Sequence, residues 1–221
     1  MKINEIYNCS GLVEYINEIG FLPLLHMGLD GWSAEEAVDE ECRYVTLPDG
    51  GWEWPLWEWK GDIIRESGCA YGKFFARKAA FISREWWPDF CNWRRNVYPH
   101  PEESSIEDMI LQTLQENGSM ITRDLRKACG FTGTKMRGKF DTYISRLEMG
   151  CYIVTEDFVY SKDRHGRNYG WGDGRCLPCL KSSWARTAAI PTALPKSRAS
   201  GWKSTFKDCS RMRTDVYLTS C

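Results

Sequence analysis

An α+β fold that is mainly helical is predicted by the order of patterns in the second half of the chain. Ser105 precedes apolar residues at helical spacing, a short second helix follows Thr122, and a third runs from Gly133 to Met149. After Gly150 the pattern becomes rich in β-branched and aromatic residues, which predicts two strands joined by a charged turn at Gly166. A helix-turn-helix followed by a β-hairpin wing is the arrangement of a winged-helix module.

The third helix carries two separate stripes. One is apolar, spans about 100° and predicts a buried face. It consists of Met136, Phe140, Tyr143, Ile144 and Leu147. The other is polar and mostly cationic, and its members fall within about 60° of one another. They are Lys135, Lys139, Thr142 and Arg146. Such a stripe in this module predicts contact with DNA phosphates, and the alternative is an ordinary solvated helix face.

The hairpin turn adds further cations to the predicted DNA-binding surface. They are Lys162, Arg164, His165 and Arg167, and Arg137 on the helix completes the set. Arg164 and Arg167 flank the turn at Gly166, where they could enter a minor groove or contact the DNA backbone, whereas the alternative is that they keep the hairpin soluble.

Charge is distributed unevenly along the 221 residues, although the net charge is only −1. Residues 1–100 carry 10 Lys and Arg against 16 Asp and Glu, while residues 119–171 carry 10 against 6. The second half is therefore expected to supply most of the attraction to double-stranded DNA. The sequence contains neither a run of 18 apolar residues nor a signal-peptide pattern, so we expect no membrane partner and a cytoplasmic location.

Three regions are predicted from changes in composition. Residues 1–100 show a helix, two strands and a helix, which suits a second module of winged-helix-like α+β type and so a tandem arrangement. Residues 101–171 form the winged-helix module after a Pro-rich linker. Residues 172–221 are expected to be a basic tail without regular structure. Within the first region, the loop from Asp30 to Trp54 is expected to be irregular.

The ten cysteines predict neither a metal nor a cofactor. The close pair Cys176 and Cys179 lacks a second closely spaced pair to complete a zinc site. Scattered cysteines of this kind are typical of small buried side chains in a reducing compartment.

The tryptophans of the first region allow two interpretations. Trp52, Trp54, Trp57 and Trp59 alternate as on one face of an extended segment, and others lie on the last predicted helix. Core packing is the first interpretation, and a stacking platform for a flipped or single-stranded base is the second. A DNA-binding groove next to such a platform would need polar and cationic side chains, and the same region contains six candidates. These are Tyr71, Lys73, Arg77, Lys78, Arg94 and Arg95.

Three segments carry a family resemblance. They are Glu14–Leu25, Tyr71–Pro88 together with Arg94 and Arg95, and Asp157–Trp171. These segments resemble the AlkZ-related winged-helix proteins, which are relatives of the AlkZ/YcaQ DNA glycosylases. The resemblance covers roughly residues 1–171 and implies tandem winged-helix modules. Because it stops at Trp171, the tail is interpreted either as a cationic arm that adds DNA affinity or as sequence foreign to the family.

The resemblance also allows the catalytic motifs of the glycosylases to be compared with this sequence. In the glycosylases, which excise alkylated or crosslinked bases, a Gln-x-Asp or Gln-x-Gln motif after Leu-Gly positions water at the sugar. The matching positions here are Pro23 and Leu25, which cannot activate water. A His-containing hairpin element would align near Lys78 to Ser83, and Lys78 replaces its histidine. The catalytic residues therefore stay unknown, and we expect duplex DNA binding without base release.

Two alternatives remain open. An active base-excision enzyme could have moved its site to the acidic loop, at Asp30, Glu35, Glu36 or Asp39, although clustered acids on a loop are usually just solvated. A protein-interaction module would instead expose an apolar patch where the basic stripe is predicted.

Overall fold

The computed structural model of this chain describes residues 3–48, 50–162, 164 and 168–178. This part of the chain contains eight helices, a six-stranded antiparallel sheet and a separate two-stranded sheet. The predicted α+β class is therefore confirmed. None of the described helices is both long enough and apolar enough to cross a membrane.

The first helix, α1 (Cys9–Ile19), leads directly into β1 (Phe21–Pro23). Asn8 caps α1 because its side chain accepts a hydrogen bond from the Gly11 N–H. Gly20 ends the helix at φ 83°, and a Cβ there would lie 2.5 Å from the ring of Trp86. Both the turn and the close packing therefore require glycine at this position.

The acidic loop after β1 contains regular structure, so the prediction of an irregular loop is wrong. Its elements are α2 (Ala34–Ala37), α3 (Glu40–Arg43), β2 (Val45–Thr46) and β3 (Trp52–Glu53). Local caps explain the helical turns. The Ser33 hydroxyl accepts from the Glu36 N–H and so caps α2, and Asp39 caps α3 by accepting from the Glu41 N–H.

The rest of the first half follows the predicted order of helix, strand, strand and helix. These elements are α4 (Pro55–Ser67), β4 (Ala70–Phe75), β5 (Lys78–Ile82) and α5 (Trp87–Val97). The predicted extended face of alternating tryptophans is wrong, because Pro55 starts a helix that contains Trp57 and Trp59. Helix α5 begins at Trp87, after a turn at residues 84–86.

The second half contains the three predicted helices and the hairpin. Its elements are α6 (Ile106–Asn117), β6 (Met120–Ile121), α7 (Thr122–Ala128), α8 (Thr134–Met149), β7 (Ile153–Lys162) and β8 (Asn168–Pro178). Ser105 caps α6 as predicted by accepting from the Asp108 N–H. Thr122 starts α7 instead of capping it, because its hydroxyl donates to the Gly174 carbonyl at 2.8 Å.

The large sheet combines strands from both halves of the chain in the order β1-β5-β4-β7-β8-β6. Strand β4 joins the halves by pairing Tyr71 with Thr155 of β7. Strand β8 runs beyond Trp171 to Pro178, so the absence of regular structure expected from residue 172 is wrong for residues 172–178. There β8 pairs with β7 and β6, and Cys176 is buried. The remaining predicted tail, 179–221, lies outside the described residues.

Each half contains an apolar cluster. The first lies among α1, α4, β4 and β5 and includes Leu12, Ile63 and Phe81. The second lies among α6, α7, α8 and β7, and it contains the buried apolar stripe of α8, as predicted. Burial of that stripe leaves the opposite face of α8 directed away from the core.

Candidate nucleic-acid interface

The outer face of α8 exposes two of the predicted lysines, Lys135 and Lys139. Arg146 is also exposed, but its guanidinium lies 3.2 Å from the Glu107 carboxylate, which offsets part of its charge. Thr142 is half-buried and its hydroxyl donates to the Gly138 carbonyl at 3.0 Å. Arg137 is exposed, although its helical position turns it away from the lysines.

Gly138 lies on the same face, at helical spacing from Lys135 and Thr142. A Cβ built there would have no heavy atom within 4 Å, so nothing inside the described protein requires the glycine. Glycine inside a helix costs about 1 kcal/mol relative to alanine. Its absent side chain therefore lowers helix stability while leaving the backbone open to close approach. In the sequence, this site could have been recognised from a glycine inside the cationic face of a predicted helix.

The hairpin of β7 and β8 places Lys162 at the end of β7, exposed and paired in register with Asn168. Arg164 lies in the turn. His165 and Arg167 lie outside the described residues. Two of the four predicted hairpin cations, Lys162 and Arg164, thus lie at or just after the end of β7.

The predicted groove residues do not form one surface. Tyr71 is buried and its ring packs 4.9 Å from Phe81. Arg94 is buried and donates to the Met149 carbonyl at 2.6 Å, while Arg95 donates to the Cys151 carbonyl at 2.9 Å. These two arginines attach α5 to the residues that end α8. The other three lie elsewhere: Lys73 is half-buried, and Arg77 and Lys78 are exposed at the turn between β4 and β5.

A carboxyl group is buried on the inner side of α8. Glu148 is 4% exposed and one of its oxygens has no hydrogen-bond partner. Burial raises the pKa of Glu148 to about 7, against the opposing effects of the Lys73 ammonium and the Lys73 N–H. This group therefore titrates near neutral pH in the helix that carries the exposed lysines.

A lysine is enclosed by aromatic rings where α4 meets β7. The Lys60 ammonium donates to the Trp57 carbonyl at 2.7 Å and to the Tyr160 hydroxyl at 2.8 Å. It also lies 3.8 Å from the Trp57 ring centroid and 4.2 Å from that of Phe158. Burial lowers the pKa of Lys60 to about 7, while the ring faces favour the ammonium.

The tryptophans near this lysine mostly pack inside the protein. The Trp57 ring stacks on Trp54 with centroids 5.1 Å apart, and Trp87 is buried. Trp52 differs, because it is 61% exposed and meets the half-exposed Tyr44 edge-on at 6.4 Å. Core packing therefore accounts for most of these residues, and Trp52 and Tyr44 remain at the surface.

The positions that match the glycosylase motifs lie close together at one edge of the sheet. Pro23 in β1 pairs with Ala80 in β5, and Leu25 follows β1 with its side chain partly exposed. Lys78 of β5 reaches the carbonyl of His26 at 3.5 Å. The structure thus brings Pro23 and Leu25, from one motif, close to Lys78, from the other. His26 lies beside them, and no signal in the sequence pointed to this histidine.

His26 forms a polar cluster with two of the predicted acids. Its Nδ1 lies 3.2 Å from the Glu36 carboxylate, which also accepts from the Ser33 hydroxyl at 2.6 Å and the Gly31 N–H at 3.0 Å. Although partial burial opposes it, these bonds and His26 hold the pKa of Glu36 below its usual value. Asp30 completes the cluster, with ligand atoms within 4.8 Å of one another.

The two other predicted acids have different surroundings. Glu35 accepts from the Tyr44 hydroxyl at 3.1 Å, at the margin of the cluster, while Asp39 caps α3 instead. An imidazole oriented by a carboxylate is able to take a proton from water. In the described part of the chain, His26, Asp30 and Glu36 are also the grouping whose atoms could hold a metal ion.

The fold and these surfaces define an α+β protein with a cationic helix beside a β-hairpin and a polar cluster next to the edge strand β1. The AlkZ-related family matches residues 6–216, and the chain therefore belongs to the AlkZ-related family. The match continues past Trp171, so the predicted limit of the resemblance, and with it a tail foreign to the family, is wrong. Neither the curated proteins nor the solved structures include a match to this chain.

Proposed function

We propose that this protein binds double-stranded DNA and that α6, α7, α8 and the β7–β8 hairpin act as a winged-helix module. In this proposal α8 is the recognition helix, and the α4–β4–β5–α5 unit acts as the second, winged-helix-like module. The observation that carries the proposal is the outer face of α8. There, two exposed lysines flank a glycine that has no packing role.

The distribution of charge also supports DNA contact through the second half of the chain. The surplus of Lys and Arg in residues 119–171 attracts phosphates, whereas the surplus of Asp and Glu in residues 1–100 repels them. The ion pair of Arg146 with Glu107 makes that arginine a weaker contributor than Lys135 and Lys139. Membership of the AlkZ-related family adds a relationship to DNA glycosylases, which act on duplex DNA.

A salt titration tests the proposal. Replacing Lys135 and Lys139 together by Ala should weaken duplex binding and reduce the slope of log affinity against log salt by about 0.9 per lost contact. Lys127→Ala is the matched control, because Lys127 is an exposed lysine of the same half that already pairs with Asp124 at 3.7 Å. An unchanged slope in the double variant would rule out α8 as the contact.

Base excision is the second candidate function, and the His26–Glu36 pair favours it. In this reaction a water oxygen would bond to the sugar C1′, the bond from C1′ to the base would break, and the water proton would pass to His26. The base would leave with the bonding electron pair. Glu36 would orient the imidazole and stabilise its charged form.

Base release from alkylated duplexes, followed by cleavage at the abasic sites, tests this candidate. His26→Ala and Glu36→Gln should abolish release while duplex binding persists, and Asp39→Asn should leave release unchanged because Asp39 only caps α3. A wild-type protein that binds these duplexes but releases no base would exclude the candidate, in line with the expectation from Pro23 and Leu25.

A further inference from the structure

A cavity of about 530 Å³ lies at the start of α5. Its lining combines the ends of three helices: Asn17 from α1, Ser67 from α4, and the turn and first residues of α5. None of the lining residues belongs to α8, the hairpin or the His26 cluster. The cavity is therefore separate from the surfaces described above.

Ser83 is the unusual residue in this lining. It is 1% exposed, and its hydroxyl has no hydrogen-bond partner. The backbone is fully engaged, because the Ser83 N–H donates to the Gly20 carbonyl at 2.8 Å and its carbonyl accepts from Trp86 and Trp87 at 3.1 Å. A buried hydroxyl without a partner costs free energy, so a bound ligand would supply what the fold leaves unsatisfied.

The groups around that hydroxyl are suited to an anion. Helix α5 has 11 residues, and its start contributes a dipole rather than a set of free donors, because Pro88 has no N–H and the Trp87 N–H already donates to the Ser83 carbonyl. Arg84 is exposed in the turn just before it, and Asn17 also lines the cavity. Glu85 also lines the cavity and Asp89 lies in the first turn, so these carboxylates limit the affinity for an anion.

We propose that this cavity binds a phosphoryl group, with Ser83 and Arg84 as its main donors. A hydroxyl and a guanidinium both donate to phosphate oxygens, and the dipole at a helix start favours an anion. The group could belong to a DNA phosphodiester or to a phosphate ion or monoester. This proposal does not depend on DNA contact by α8.

Inorganic phosphate is the probe for the first measurement. Titration at constant ionic strength, with chloride as the reference anion, should give saturable shifts of the Ser83 and Arg84 amide signals in NMR spectra. Ser83→Ala and Arg84→Gln should each weaken binding at least tenfold, whereas Arg77→Gln, at an exposed arginine in another turn, should not.

Thermal denaturation provides a second readout that separates binding from folding. Ser83→Ala should melt no lower than the wild type, because no internal hydrogen bond is lost. A clearly lower melting temperature would indicate that the hydroxyl serves the fold, which would overturn the proposal. So would a wild-type protein that shows no saturable response to phosphate.

Duplex DNA distinguishes the two sources of the phosphoryl group. If it is a phosphodiester, Arg84→Gln should reduce the salt slope of duplex binding by about 0.9. If phosphate binds but the slope is unchanged, the site takes a free phosphate or a monoester. The variant lacking Lys135 and Lys139 should retain phosphate binding in the cavity, so failure of the α8 proposal and failure of this one are distinguishable.

Discussion

Replacing Gly138 by alanine should make the protein more stable and a weaker DNA binder. A Cβ at this position meets nothing within 4 Å, so the substitution introduces no clash in the free protein. The gain in helix propensity is about 1 kcal/mol, which corresponds to a rise of about 2–4 °C in melting temperature for a protein of this size. The Thr142 hydroxyl donates to the backbone carbonyl of residue 138, so this hydrogen bond persists in the variant.

The same methyl group would enter the proposed interface with DNA. Extra volume at a closely packed contact costs about 1–3 kcal/mol, so we expect duplex affinity to fall by roughly tenfold. Gly138→Leu extends the series, because leucine has nearly the helix propensity of alanine but a larger side chain. Its affinity should fall further while its melting temperature stays close to that of the alanine variant.

Fluorescence anisotropy with a labelled duplex and thermal denaturation by circular dichroism measure the two effects on the same samples. Opposite changes in stability and affinity identify a surface that is kept open for a partner. If both variants melt higher and bind the duplex as tightly as the wild type, the face of α8 around Gly138 does not contact DNA. The open space at Gly138 would then not indicate a binding surface.

Three further predictions concern charges. Because burial keeps Glu148 neutral in the folded state, unfolding releases its proton between pH 4.5 and about 7, and stability should fall by about 3 kcal/mol as pH rises through this window. Denaturant unfolding of Glu148→Gln should lack this fall, and an unchanged pH profile would contradict the assignment. For Lys60 the pH dependence of stability has the opposite sign. Between about pH 7 and 10.5 the unfolded state binds the lysine proton and the folded state does not, so stability should rise with pH. Lys60→Met should flatten that rise. In the wing, replacing Arg164 and Arg167 by Glu should abolish duplex binding in a gel-shift assay without lowering the melting temperature. A loss of folding instead would assign the turn a structural role.

Local signals account for the parts of the structure that the sequence predicted well. Asn8 and Ser105 supply caps to the helices that follow them, and the spacing of apolar residues in α8 determines which face is buried. The order of helix, two strands and helix in the first half was predicted from local patterns as well. Each of these features depends on residues within a few positions of one another, so a single sequence is sufficient to show it.

Other parts depended on contacts between distant residues. Strand β8 continues beyond Trp171 because β6 and β7 pair with it, and no local pattern of residues 172–178 indicates this. The acidic loop was predicted to be irregular although Ser33 caps a helix there, because a four-residue helix is too short to give a periodic signal.

The polar sites show the same division. The sequence by itself determined that α8 carries cations on one face, because side-chain direction follows from helical geometry. Tertiary structure decided that Arg94 and Arg95 attach α5 to the end of α8, that Lys60 lies among aromatic rings, and that His26 meets Glu36. Burial and pairing of polar groups depend on which elements pack together, and that choice is made by the whole chain.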